Sequence, residues 1–367
     1  NCQGDSPISC LGTAVSDAVA GPYVNEGIML KSGMTADQPS EDGDIYQAAD
    51  DPNTVDPVVF YDQEGRLWMI YGSYSGGIFV KEMDPQTGLA LEPGYGKKLL
   101  GGDHLRIEAP YIIYNQDTAY YYMFLSFGGL DSDGGYNVRV CRSKTPDGPY
   151  LDSMGQDMID CKGPAGSSFS DATAALYGTK LMGCYKFLWS EGEEGEKRKG
   201  YLSPGHNSCL YQEETGKYFI IYHTRFENSG EEHQVRVHQM FFNEDGWPVI
   251  TPYRYTGETM GTYTKDDLTG TYKYINHGRD ISPKIRESVL IELKKDGKIA
   301  GELEGTWELT ENNNITLTVD GDTYHGVVLK QWDEDGKKYV MTFTALNAAT
   351  GISVWGSGLG AVEADAS

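Results

Sequence analysis

No stretch of the 367-residue sequence carries an apolar run near the roughly 20 residues that a membrane-spanning helix requires. Basic residues are scarce: 30 Lys and Arg stand against 54 Asp and Glu, giving a formal net charge of −24 and a pI near 4.6. That balance argues against nucleic acid and anionic membrane surfaces as partners and suits a neutral substrate. Cysteine is sparse. Cys2, Cys10, Cys141, Cys161, Cys184 and Cys209 form no CxxC pair and no zinc-type spacing. A Cys2–Cys10 bridge fits an oxidising compartment and buried free thiols fit equally well, so cysteine usage leaves the compartment open. GxSxG, P-loop, Rossmann and HExxH fingerprints are all missing, which removes the chemistries that depend on them. The amino end has neither a charged region nor an apolar signal core. It opens instead on a phrase that returns in the middle of a later repeat, so further sequence is expected upstream of Asn1.

What the chain has is aromatic residues and turns: 26 Tyr, 6 Trp and 46 Gly. This mixture suits short strands joined by tight turns, and surfaces that stack on sugar rings. Internal repeats organise it. Residues 14–23 correspond to residues 141–150, each reading as a strand, a polar turn and then Gly-Pro-Tyr. Residues 65–73 match 119–127 and 216–223; in each case a first strand (58–61, 111–114, 209–211) precedes and a third (77–83, 137–142, 234–242) follows. Units of about 50 residues built from short antiparallel strands are the signature of β-propeller blades. Residues 167–188 fit part of a further blade, and 190–199 read as a charged, disordered loop. Past residue 255 the pattern becomes cleaner. Alternating strands at 288–293, 298–303, 305–309, 314–319, 323–329, 338–344 and 351–355 are joined by Asp-Gly turns at Asp296-Gly297, Asp320-Gly321 and Asp335-Gly336. The expected fold is all-β: a propeller domain over residues 1–255, then a small antiparallel β-barrel over 256–367. His277 and His325, in the barrel, read as solvent-facing or turn residues.

Three phrases place polar groups at equivalent strand heads: Asp56 before Pro57, Glu108 before Ala109-Pro110, and His206 within Pro204-Gly205-His206-Asn207-Ser208. Glycoside hydrolysis needs a protonated carboxyl beside the leaving oxygen and a second carboxylate nearby. An apolar, aromatic strand head would raise the pKa of Glu108 and suit it as the acid, while a nearby Asp56 would keep it protonated and orient it. Taken singly, each acid reads as a turn cap, and His206 as a hydrogen-bonded structural histidine. His223, His233 and His238 fit no metal motif and read as structural. Arg225, expected just past a strand end, suits a sugar hydroxyl or a surface salt bridge equally. Tyr74 and Phe127 are the aromatics expected near the sugars, and the glycines beside them read as bends where backbone approaches closely.

These phrases resemble the arabinanase branch of glycoside hydrolase family 43. The likeness rests on residues 53–57, 107–111 and 204–208, and is strengthened by His223-Thr224-Arg225-Phe226 and by residues 233–240. The resemblance implies a five-bladed propeller that is an inverting hydrolase of plant cell-wall glycans, followed by a C-terminal β-barrel. It implies Glu108 as general acid, Asp56 as the aspartate that tunes and orients it, and His206 as the histidine of a central calcium site held partly through water. The family's general base is an aspartate of the first blade. It has no counterpart here, because this chain begins near the end of the second; Asp17 and Asp171 do not match its motif. The substrate implied is α-1,5-linked arabinan cut internally. An exo-acting arabinofuranosidase or xylosidase, and a non-catalytic glycan-binding propeller, are the alternatives. Secretion follows from a polymer too large to enter a cell, and the chain is expected as a monomer or as the partner of a separate N-terminal fragment.

Overall fold

The computed structural model describes residues 7–40, 45–195 and 198–363. Among these, α-helix is confined to two four-residue turns, α1 (Asp171–Ala174) and α2 (Lys265–Leu268). The chain divides into two compact units, one of Asn1–Gly128 with Val140–Gly178, the other of Gly129–Arg139 with Thr179–Ser367. Cys2 lies outside the described residues, so its bridge to Cys10 does too; the remaining five cysteines are free thiols, four of them buried.

The first unit opens with a hairpin of β1 (Cys10–Val15) and β2 (Val24–Lys31). An antiparallel four-stranded meander follows: β3 (Val58–Tyr61), β4 (Leu67–Tyr71), β5 (Ile78–Met83) and β6 (Lys97–Leu100). Its central strand β4 is apolar and buried along nearly its whole length, as a strand covered on both faces must be. The turn at residues 62–65 is built around the buried Asp62, whose carboxylate accepts from the Arg66 and Glu64 amides and from the Trp68 indole. Next come β7 (Ile107–Asn115), β8 (Tyr120–Phe127) and β9 (Asn137–Ser143), neighbours in that order. The repeat seen in the sequence has a physical counterpart. Tyr23 Oη donates to Val19 O at 2.8 Å and Tyr150 Oη to Pro146 O at 3.0 Å, each reaching back across a left-handed glycine, Gly21 or Gly148.

The second unit begins with β10 (Thr179–Met182) and β11 (Tyr185–Lys186) and continues as a meander of β12 (Tyr201–Gln212), β13 (Lys217–Phe226), β14 (His233–Phe242) and β15 (Pro248–Ile250). After β16 (Gly270–Asn276) and the short β17 (Arg286–Glu287), seven strands run as a continuous meander. They are β18 (Val289–Leu293), β19 (Lys298–Gly301), β20 (Gly305–Leu309), β21 (Asn314–Val319), β22 (Asp322–Asp333), β23 (Lys338–Asn347) and β24 (Ile352–Gly358). β24 pairs back onto β16, which closes an eight-stranded antiparallel barrel and removes its open edges. Ile315, Leu317 and Val319 alternate into its core with Trp307, Phe343, Tyr272 and Tyr274. At Asp320-Gly321 both residues are left-handed and Val319 pairs with Asp322, the two-residue hairpin that an Asp-Gly dipeptide encodes.

Two expectations are corrected here. The charged stretch 190–199 is ordered where it is described. Arg198 Nη1 donates to Asp333 Oδ1 at 3.0 Å, and Glu193 pairs with both Arg198 and Lys273, all four side chains being nearly inaccessible. Burial alone would push the Glu193 carboxyl up, yet the Lys273 and Ser190 hydrogen bonds hold it below its ordinary value. His277 is not at the surface. It is fully buried, edge-on to Trp355 with ring centroids 4.3 Å apart, and burial pushes its pKa well down. His325 is partly exposed, as expected, with its Nδ1 2.7 Å from Asp245 Oδ2.

Breaking such a buried cluster on one side strands the opposite charges. Arg198→Met is expected to lower unfolding stability by about 3–5 kcal/mol in chemical denaturation, whereas the exposed Lys295–Asp266 pair should contribute less than about 1 kcal/mol.

Candidate active site

Both carboxylates singled out by the sequence lie in the first unit, and a backbone hydrogen bond ties them together. Asp56 stands on a buried shelf. Asn53 and Thr54 are inaccessible, Ser9 Oγ donates to Asn53 Oδ1 at 2.5 Å, the Thr54 amide donates to Ser9 Oγ at 3.1 Å, and Gly72 N donates to Val55 O at 3.0 Å. From this shelf Asp56 turns left-handed, φ +54°, and its Oδ2 accepts the amide of Ala109 at 3.2 Å. Ala109 is itself left-handed, φ +52°, at a bulge between Glu108 and Tyr111 in the pairing of β7 with β8. Such conformations cost about 1–2 kcal/mol each for a residue with a Cβ and persist only where the surroundings hold them. Here they aim one carboxylate at the residue that follows the other.

Glu108 is the second residue of β7 and half-buried. Its Oε2 accepts the Ser73 hydroxyl at 2.7 Å, which fixes the plane of the carboxyl group. The turn carrying Ser73 is fastened across the strand head: Tyr74 N donates to Ile107 O at 2.9 Å and Tyr74 Oη to Gly128 O at 3.0 Å. Gly77 permits this turn, since at φ +104° a Cβ there would lie 2.0 Å from Leu100 O. On the other flank Arg106 grips both carboxylate oxygens of Asp171, in the first turn of α1, with Nε to Oδ1 at 3.0 Å. Two charge-assisted hydrogen bonds make Asp171 a brace for the strand head.

The other nominated residues fare differently. Tyr74 is half-buried beside Ser73. Phe127 is 0% exposed, so it has no face to offer a sugar; it belongs to the core of β8. Arg225 is neither past a strand end nor on the surface. It lies within β13, 4% exposed, with Nε donating to Glu231 Oε2 at 2.6 Å. Glu231 in turn accepts the Ser132 amide at 3.1 Å, so the pair anchors the 129–139 segment of the second unit. His206 does not open a strand but sits in the middle of β12, left-handed at φ +48° within the register shift from Gly205 to Ser208. Its ring stacks on His223 at 6.1 Å, and His223 stacks on Tyr136 at 6.1 Å; Gly205 makes room, because a Cβ there would be 2.1 Å from the Tyr136 ring. His238 is structural, as expected: buried, with Nε2 2.9 Å from Tyr222 Oη and Nδ1 2.7 Å from Thr251 O.

The surroundings of His206 can be tested against calcium, which takes six to eight oxygens. Burial, then Arg225, His206 and His233, push the His223 pKa down to about 4, so the ring is neutral at ordinary pH. Its Nδ1 and the Arg225 Nη1 are buried with no hydrogen-bond partner among the described residues. The group thus offers imidazoles and a guanidinium, and among the described residues no three His, Cys, Asp or Glu converge as metal ligands. These side chains do not fit a calcium bound directly.

Nothing in the sequence marks Ser73 as the partner of Glu108 or Arg106 as the partner of Asp171. Ser73 is one of many serines beside glycine, and its bond to Glu108 spans 35 residues.

Comparison with known proteins identifies the family of the chain. The profile of glycosyl hydrolases family 43 matches residues 1–180, and that of a C-terminal lipocalin-like domain of the same family matches residues 252–356. An extracellular endo-α-(1→5)-L-arabinanase 2 of Bacillus subtilis is 56% identical over 357 residues, 97% of this chain and 75% of that protein. An extracellular endo-α-(1→5)-L-arabinanase of Thermotoga petrophila is 51% identical over 358 residues, 96% of this chain and 74% of the relative. Among solved structures, a family 43 glycoside hydrolase of Bacillus licheniformis superposes with a TM-score of 0.90 at 53% identity, covering 95% of this chain and 77% of the other. The Thermotoga petrophila endo-1,5-α-L-arabinanase superposes with a TM-score of 0.89 at 49% identity, covering 96% and 78%. With identity above one half sustained along almost its whole length, this chain belongs to glycosyl hydrolase family 43.

Proposed function

We propose that the protein hydrolyses α-1,5-L-arabinofuranosidic bonds within arabinan, with inversion, using Glu108 as general acid and Asp56 as the residue that positions it. The observation that carries this reading is the Ala109 N–H to Asp56 Oδ2 bond, which joins the two acids at one strand head. Close relatives named as endo-arabinanases give it its substrate. Glu108 protonates the glycosidic oxygen as the bond to the anomeric carbon breaks, with the Ser73 hydroxyl holding the carboxyl in plane. Asp56, engaged by a backbone amide, acts through Glu108 and does not attack the sugar. A water attacks the anomeric carbon from the opposite face of the ring as that bond breaks.

The same reading takes β3–β6, β7–β9 and β12–β15 as blades of a five-bladed propeller, residues 1–255 as the catalytic part and 256–367 as an accessory barrel. It takes the protein as secreted, in keeping with a polymeric substrate and with the extracellular relatives. Calcium enters only as an ion held through water near His206, and no step depends on it. Extensive chelation followed by calcium readdition checks this: the proposal expects thermal stability to fall and recover, and an unchanged melting temperature dismisses the ion.

Glu108→Ala should lower kcat on linear arabinan by about 10²- to 10⁴-fold, with arabinan binding retained in affinity electrophoresis; near-normal turnover would remove Glu108 from its role. Wild type should release a ladder of short oligomers and not arabinose alone. Asp56→Asn tests the positioning role through the pH profile. Removing a like charge lowers the pKa of the neighbouring acid, so the alkaline limb of kcat/KM should move to lower pH. An unmoved limb would leave Asp56 a purely structural turn residue.

A further inference from the structure

Among the large hydrophobic side chains left in water, Phe169 stands apart in how it is held. It is 46% exposed, yet its backbone is fixed in the left-handed region at φ +55°, a conformation that a bulky residue adopts only under constraint. Its amide donates to His104 O at 3.3 Å, and its carbonyl accepts from Asp171 N at 2.8 Å. Asp171 is the carboxylate gripped by Arg106, two residues ahead of Glu108. The ring meets Tyr74 edge to face, centroids 5.9 Å apart at 71°, and Tyr74 follows the serine that bonds Glu108. His104 is in turn anchored through its amide to Ser75 O at 3.0 Å. Every element that holds Phe169 also frames the candidate acid, all within the first unit. A core phenylalanine would be covered, and a merely surplus one would not be braced by an ion pair and two strained turns.

We propose that Phe169 forms an additional sugar-binding subsite flanking Glu108, an aromatic platform on which a furanose ring of the polymer stacks. The exposed ring offers an apolar face to the C–H face of a neutral sugar, and its fixed backbone means little freedom is lost on binding. The inference rests on the arabinan reading of the same site and adds to it a contact remote from the scissile bond.

The test compares wild type, Phe169→Ala and Phe169→Trp on long linear arabinan and on a short arabino-oligosaccharide. For Phe169→Ala we expect KM on the polymer to rise about three- to tenfold with kcat nearly unchanged, a smaller change on the short substrate, and recovery with Phe169→Trp. An unchanged polymer KM in Phe169→Ala overturns the platform while leaving the arabinan reading intact. Migration in native gels containing arabinan gives a readout independent of turnover. Weaker retardation of Phe169→Ala than of wild type supports the subsite even if hydrolysis is absent, and equal migration, or no retardation of wild type, overturns it.

Discussion

One hydrogen bond organises the site: the amide of Ala109 donating to the carboxylate of Asp56. Both residues adopt left-handed backbone, and neither would do so in an isolated peptide without cost. The bond exists because a buried polar shelf, Ser9 with Asn53 and Thr54, presents Asp56 at the right place. It also needs the bulge in β7, which turns the Ala109 amide away from β8. Carboxylates that were free to move would spend most of their time solvated and apart. Held this way, one acid is committed to backbone, and the other has its plane set by Ser73. An acid held at a fixed angle toward the leaving oxygen is one geometric requirement of glycoside hydrolysis.

The strand head is braced from several directions at once. Tyr74 spans from Ile107 O to Gly128 O, Arg106 is clamped to Asp171, and both flanks are made of short turns whose glycines let backbone meet backbone. In the second unit a comparable economy of space surrounds His206, where Gly205 admits the Tyr136 ring and His223 lies neutral between rings. Burial keeps His223 uncharged, and because imidazoles, a guanidinium and a phenol supply no carboxylate oxygens, these side chains are not a ready cage for an ion that takes six to eight oxygens.

Some of this was readable from residues alone. Barrel strands β18 to β24 followed from period-two alternation and Asp-Gly turns, because those signals are local. Glu108 and Asp56 stand out because a proline follows each closely, although Pro57 precedes β3 and Pro110 lies inside β7. The strand that closes the barrel, β16, escaped notice: Lys273 in its centre looks solvent-facing, and only Glu193, 80 residues away, makes its burial tolerable. The same long reach hid the order in residues 190–195 and 198–199, since Arg198 finds Asp333 across 135 residues. His206 looked like a strand opening because two irregularities in β12 break the alternation around it. Phe127 and Phe169 show the limit most plainly. An aromatic inside a buried strand and an aromatic braced in a turn look alike in sequence, and only tertiary contacts separate core from platform.

The central claim is that Asp56 is held by backbone to serve Glu108 and is not the group that attacks the sugar. The stereochemistry of the first product tests it most directly. Proton NMR of arabinan digestion in its first minutes, before mutarotation, should show the β anomer at the new reducing end, the result of a single displacement with inversion. Initial appearance of the α anomer would mean double displacement through a covalent sugar–carboxylate, make Asp56 a candidate nucleophile, and contradict the account.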